Sequence, residues 1–168
     1  MPLSPEDVEF LLIEHSAAMI TVGADGKPKV ARCGVALVDG QLWSSGKQDR
    51  VRTQRLRRDP RCTLYVHATS PAWRGLETTV TLLDGPDAPE LNLRLFRVMQ
   101  GRPADPLWWY GHELDESAFL DQMRAERRLV YRVRGRAVLR TATLTPRDRG
   151  CRMPKALRQW GVRIDLCR

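Results

Sequence analysis

The sequence predicts a mainly β fold of the α+β class: an antiparallel β-barrel with helices inserted between its strands. Three observations carry that expectation. Two Asp-Gly pairs, Asp25-Gly26 and Asp39-Gly40, separate apolar runs of strand length, the mark of consecutive hairpins. Residues 61–68 alternate, with Cys62, Leu64, Val66 and Ala68 on one face and Thr63, Tyr65 and His67 on the other, as a half-buried strand requires. There is no β-α-β alternation and no G-x-G-x-x-G or G-x-x-x-x-G-K-[ST] loop, which argues against a parallel nucleotide-binding sheet.

Each element follows in order. Ser4-Pro5-Glu6-Asp7 predicts a helix start: Ser4 can cap, Pro5 suits the first helical position, and the acids suit the positive end of the helix dipole. Val8, Leu11, Leu12 and His15 read as its apolar face. Strands are expected at 17–22, 29–38 and 41–45, joined by the two Asp-Gly turns. A basic helix from near Asp49 to Asp59 is stopped by Pro60. Strands at 61–68 and 73–83 flank a Ser70-Pro71 turn. A helix at 90–100 places Leu91, Leu95 and Val98 on one face, and Gly101 to Pro106 end it. Trp108-Trp109-Tyr110 falls in a loop that either closes a pocket or packs in the core. A helix at 116–128 carries Phe119, Leu120 and Met123. A strand follows at 129–133, with 137–144 as its continuation or its partner. Residues 1–145 are expected to form the barrel domain. Residues 146–168 form a basic C-terminal tail or appendage, with a short amphipathic pattern at Ala156, Leu157 and Trp160.

The chain has 168 residues and a net charge of +8, so it is large enough for one packed core and points to an anionic partner. The charge comes in blocks: residues 46–61, 124–140 and 146–168 each carry seven basic side chains against one or two acids. Nearly all are Arg, whose planar fork suits bidentate contact with phosphate or carboxylate. Helix-turn-helix, zinc-finger and RNP-type patterns are lacking, which argues against nucleic acid. The four cysteines show no C-x-x-C spacing and the three histidines lie far apart, so no metal site is expected. Unpaired cysteines and an acidic N-terminus predict a cytoplasmic protein, and no apolar run suits a membrane span.

The stretch Leu42–Asp59 stands out. Ser44, Ser45 and Gly46 end an apolar run, Lys47 follows, and then Arg50, Arg52, Arg55, Arg57 and Arg58 fall within a single helical segment. Taken alone the pattern fits either a solvated helix face or a phosphate corner, where the amides of a helix start and nearby guanidinium groups meet an anion.

The order TVGADGKPKV … VDGQLWSSGKQDRVRTQRLRRDPRCTLYV … WRGLETTVTL resembles the pyridoxamine 5'-phosphate oxidase-like family of split β-barrels, in particular its branch of deazaflavin (coenzyme F420)-dependent reductases. GHELDESAFLDQMRAERRLVYRV is similar to that branch's last helix and closing strand. The resemblance covers roughly residues 5–144. It implies a six-stranded antiparallel split β-barrel, FMN-binding-like, that forms a homodimer with the cofactor groove between subunits. It places the cofactor phosphate at Ser44, Ser45, Gly46, Arg52 and Arg55, with Lys47 and Arg50 in the same corner. The ring would approach Ala31 and Cys33, and Trp73 is either a ring wall or a core or interface residue. Where many members carry a small-Pro-apolar-Trp run, this chain has Ala31-Arg32-Cys33-Gly34. The implied function is hydride transfer from reduced F420 to an unsaturated small molecule. Alternatives are an FMN-binding oxidoreductase of the same fold, a non-catalytic cofactor- or tetrapyrrole-binding protein, and, last, a basic nucleic-acid-associated protein. No residue is assigned a catalytic role.

Overall fold

The structure, a computed structural model, describes residues 3–69 and 71–140, with residues 136–140 described by their backbone. Helix α1 (Pro5–Ile13) leads into strands β1 (Ser16–Val22), β2 (Pro28–Val38) and β3 (Gln41–Lys47). Helix α2 (Val51–Arg58) precedes β4 (Arg61–His67) and β5 (Trp73–Leu83). Helix α3 (Ala88–Gln100), strands β6 (Leu107–Trp109) and β7 (His112–Leu114), helix α4 (Glu116–Ala125) and strand β8 (Arg128–Arg140) complete the chain.

Six strands close into an antiparallel barrel in the order β1-β2-β3-β8-β5-β4. The expected six-stranded α+β barrel is therefore the architecture observed. The Asp39-Gly40 hairpin has positive φ at both turn residues, 50° and 71°, the twist that a two-residue link between right-twisted strands needs. β8 shuts the barrel. It pairs with β3 on one side, Lys47 opposite Arg128, and with β5 on the other, Val80 opposite Val133. Closure removes the unpaired edges that an open sheet would expose.

Alternation sorts the side chains. Met19, Val35, Leu64, Val66, Leu76, Leu129 and Tyr131 fill the barrel, and Leu11 of α1 and Leu56 of α2 join the same cluster. The outer face of β2, β3 and β8 is covered by α3, where Ala36, Val38, Trp43 and Val130 meet Leu95. A third cluster of Leu93, Leu107, Trp109, Phe119 and Met123 welds α3, the β6–β7 hairpin and α4 together.

Several details differ from the sequence reading. The buried face of α1 is Asp7 and Leu11, while Val8 and Leu12 are exposed. Asp7 is drawn inward by an ion pair with Arg74 of β5 at 2.9 Å. In α3 the burial falls on Asn92, Leu93 and Leu95, and Val98 is exposed. Trp108 to Tyr110 form a hairpin rather than a loop, with Leu107 opposite Leu114 and Trp109 opposite His112. α4 stops at Ala125, and Arg127 turns the chain at φ 49° before β8 begins. The two expected C-terminal strand segments are one continuous strand as far as Arg140. The boundary expected at residue 145 and the basic tail 146–168, with Cys151 and Cys167, lie outside the described residues.

Candidate functional site

The β2–β3 hairpin, the start of α2, the end of α3 and the β6–β7 hairpin surround a cleft of about 670 Å³. Its cationic side is formed by Arg32, Lys47, Arg50, Arg52 and Arg128, and among the described residues no carboxylate lines it. Its apolar side is formed by Phe96, Met99, Trp108, Trp109 and Tyr110. Between the two lie Cys33, Gly34, Ser45 and Gly46. A larger hollow of about 910 Å³ opens elsewhere, beside Asp59, Arg61, Glu77 and Arg134. Its acids and bases balance, and Asp59 pairs with Arg61 at 2.9 Å, so it lacks the excess positive charge of the smaller cleft.

Local geometry explains how β3 and α2 build the cationic side. Ser44 is fully buried and donates to the Gly34 carbonyl at 2.8 Å, which pins β3 to β2. The next residue therefore faces the other way, and Ser45 reaches the cleft. Its hydroxyl donates to Asn92 Oδ1 at 2.5 Å and accepts from Arg128 at 3.0 Å. Gly46 lets Tyr131 lie against the strand, since a Cβ there would overlap the Tyr131 ring and hydroxyl. Tyr131 in turn meets the buried Thr53 hydroxyl at 2.6 Å, and Thr53 donates to the Lys47 carbonyl at 2.5 Å. That pair of bonds docks α2 onto the barrel.

α2 begins at Val51 with Arg50 at the cap position, and no side chain caps it. Arg52 reaches back over the barrel rim. Its guanidinium lies 5.3 Å from the Tyr131 ring centre and makes only long contacts, to the carbonyls of Arg32 at 3.3 Å and Ser45 at 3.5 Å. Its Nε is buried and, like Trp43 Nε1 and Arg132 Nε, has no acceptor among the described residues. The terminal nitrogens of its fork, held only by the two long carbonyl contacts, are the donors it can offer an anion in the cleft.

Glu126 organises the other two cations. It pairs with Lys47 at 2.8 Å and with Arg128 at 3.0 Å. It also accepts from Trp109 Nε1 at 3.0 Å and Gln122 at 2.7 Å. Burial pushes the Glu126 carboxyl up, but the bonds from Lys47, Gln122 and Trp109 and the Arg128 charge outweigh it and hold it at about 2. Lys47 and Arg128 are thus partly neutralised, whereas Arg32, Arg50 and Arg52 have no ion pair among the described residues. Burial raises the Cys33 thiol above its usual range, against a smaller pull from Arg52, so it is a neutral thiol. His15 Nδ1 lies 3.0 Å from the Val35 carbonyl.

Of the residues singled out from the sequence, Cys33, Ser45, Gly46, Lys47, Arg50 and Arg52 meet in this cleft. Ser44 lies directly behind it. Ala31 is half-buried on β2, opposite Met19, outside the lining. Arg55 faces a separate depression beside Asp25, Lys29 and Arg58. Trp73 sits on the barrel wall, 5.5 Å from the Tyr65 ring, away from the cleft lining. Asn92, Met99, Glu126 and Arg128 were not foreseen. Only Arg128 carried a signal, its place in the second basic block at the head of the closing strand. Asn92 and Met99 are ordinary helix residues in sequence, and only packing against β2 and β3 gives them a role.

No protein-family model matches the chain, and no curated relative matches it. Solved structures do. A conserved hypothetical protein from Mycobacterium tuberculosis is 26% identical, with a TM-score of 0.57 over 79% of this chain and 81% of that one. An F420 reductase is 18% identical, with a TM-score of 0.58 over 82% of this chain and 98% of that one. A candidate pyridoxamine 5'-phosphate oxidase from Listeria innocua is 14% identical, with a TM-score of 0.53 over 79% and 96%. These are split-barrel likenesses. At these identities they show the fold, a six-stranded split barrel. Among the described residues no helix is long and apolar enough to cross a membrane.

Proposed function

We propose that the cleft holds a phosphate-bearing deazaflavin, coenzyme F420, and that the protein is an oxidoreductase acting on a small unsaturated organic substrate. One observation carries the reading: a cationic wall of Arg32, Lys47, Arg50, Arg52 and Arg128 faces a wall of aromatic side chains across a cleft of about 670 Å³. An anion and a flat ring in one molecule match both walls. The neighbouring F420 reductase fold supports the same choice. FMN satisfies the same two walls with less negative charge and is the alternative.

When bound, the reduced ring supplies a hydride. The chain's own residues bind and orient. Arg52 and Arg50 would take the phosphate, with the Ser45 hydroxyl beside them. Cys33, Gly34 and Met99 form an apolar floor that keeps water from one side, and the aromatic residues wall the other. The groove is proposed to be completed by a second copy of the chain.

Titration with F420 and with FMN, followed by absorbance and fluorescence, tests the reading. F420 is expected to bind the more tightly. Arg52→Ala should weaken it roughly 10- to 100-fold, the worth of hydrogen bonds to a charged group. An Arg52→Ala protein with wild-type affinity would show that the phosphate lies elsewhere.

A further inference from the structure

The β6–β7 hairpin is too well anchored for a surface loop. Leu107 and Trp109 point into the third core cluster, and Trp109 packs edge-on against Phe96 at 5.0 Å and Phe119 at 5.6 Å. The Trp109 indole donates to Glu126 at 3.0 Å, and the Arg128 guanidinium lies 4.5 Å from its ring. The Gln100 side-chain amide accepts from the Trp108 N–H at 2.8 Å and donates to the Trp108 carbonyl at 2.9 Å, standing in for a third strand. The turn residues Tyr110 and Gly111 have φ of 47° and 93°, the tight primed link.

Strand alternation turns Trp108 outward, and the turn carries Tyr110 out at its tip. Trp108 is 49% exposed and Tyr110 81% exposed, yet both line the cleft that the cations line from the other side. Across the cleft Gly34 has no side chain, and Met99 Cε occupies the place of its Cβ. That strand supplies no aromatic side chain for a ring to lie against. The aromatic surface comes from the hairpin instead.

We propose that the β6–β7 hairpin is a stacking clamp, in which Trp108 and Tyr110 hold the planar ring of the ligand whose phosphate sits on Arg52. This rests on the cofactor reading above and adds the residues that select a flat ring. The Glu126 bonds to Trp109, Lys47 and Arg128 fix the clamp relative to the cations, so the span between ring and phosphate is set by the fold rather than by the ligand.

The test separates ring from phosphate. Affinities for F420, FMN and riboflavin are measured by fluorescence, and inorganic phosphate is measured as a competitor against FMN. The double variant W108A/Y110A should lose about tenfold or more in affinity for all three ring compounds, as expected for lost stacking, while phosphate competition is unchanged. R52A should behave conversely, weakening FMN and F420 but sparing riboflavin. W108F/Y110F, which keeps the ring faces, should restore most of the affinity. If W108A/Y110A keeps wild-type affinity for riboflavin and FMN with an unaltered circular dichroism spectrum, the clamp is overturned and the cofactor reading survives. If the wild-type protein binds neither F420 nor FMN, the cofactor reading fails and the clamp with it.

Discussion

Gly46 shows how one residue ties the site to the core. Its requirement is space, because the Tyr131 ring fills the position where a Cβ would stand. Thr53 spends its single proton on the Lys47 carbonyl, so Tyr131 must donate to Thr53. Gly46→Ala should push Tyr131 off this bond, loosen α2 and cost on the order of 1–3 kcal/mol in urea unfolding. Glu126 acts differently, through charge. Its folded value of about 2 lies below the ordinary 4.5, so its contribution is present above about 4.5 and fades as pH falls toward 2. Glu126→Gln should lower stability at neutral pH and flatten the acid limb between those values relative to wild type, read from unfolding midpoints across pH. An acid limb of unchanged slope would mean the carboxylate is not held by its four partners.

At the level of elements, α1 hangs on the Asp7–Arg74 pair, with side chains only 1% and 6% exposed. Arg74 also lies 4.5 Å from the Phe10 ring, so it clamps the helix by charge and by stacking. Arg74→Met takes the buried cation from a buried carboxylate, which the Ser4 N–H and hydroxyl also hold, and should cost about 3–5 kcal/mol in chemical denaturation. The double variant with Asp7→Leu should recover much of that loss. This pair also shows what periodicity misses. A search for apolar faces passes over Asp7, since nothing local says that a carboxylate will find an arginine 67 positions later. The β6–β7 hairpin was equally hidden. Its strands have three residues each, too short for an alternation signal, and its turn is Tyr-Gly rather than Asp-Gly. By contrast the strands around Asp39-Gly40 and β4 were plain, because turn chemistry and period agreed. On α2 the sequence displayed the charge but not its division. Arg50 and Arg52 turn to the cleft, Arg55 and Arg58 to the β1–β2 turn, and Arg57 to Asp84 at 2.7 Å.

For the whole molecule, the barrel was legible and its closure was not. The meander of β1, β2 and β3 follows from local turns, whereas β8 pairs with β3 from Lys47–Arg128 to Leu42–Val133 and with β5 from Leu83–Val130 to Arg74–Arg140, partners far apart in the chain that no local pattern encodes. That pairing has a consequence for timing. Lys47 and Arg128 face one another across the seam between β3 and β8, and Ser45 receives Arg128 across the same seam. The cleft takes Arg128 from β8 and Ser45, Gly46 and Lys47 from β3, so its cationic side is complete only when that seam is paired, and long-range strand pairing is slow. Whatever binds there acts as a latch on barrel closure, stabilising the completed state by mass action. Hydrogen exchange should report it: saturating F420 is expected to slow exchange of the β3 and β8 amides more than those of β1 and β4, and uniform protection would show a seat made before the seam. A nascent chain still lacking β8 would lack Arg128 and with it one side of the cleft, so occupancy by the proposed ligand would double as a signal that the barrel has closed.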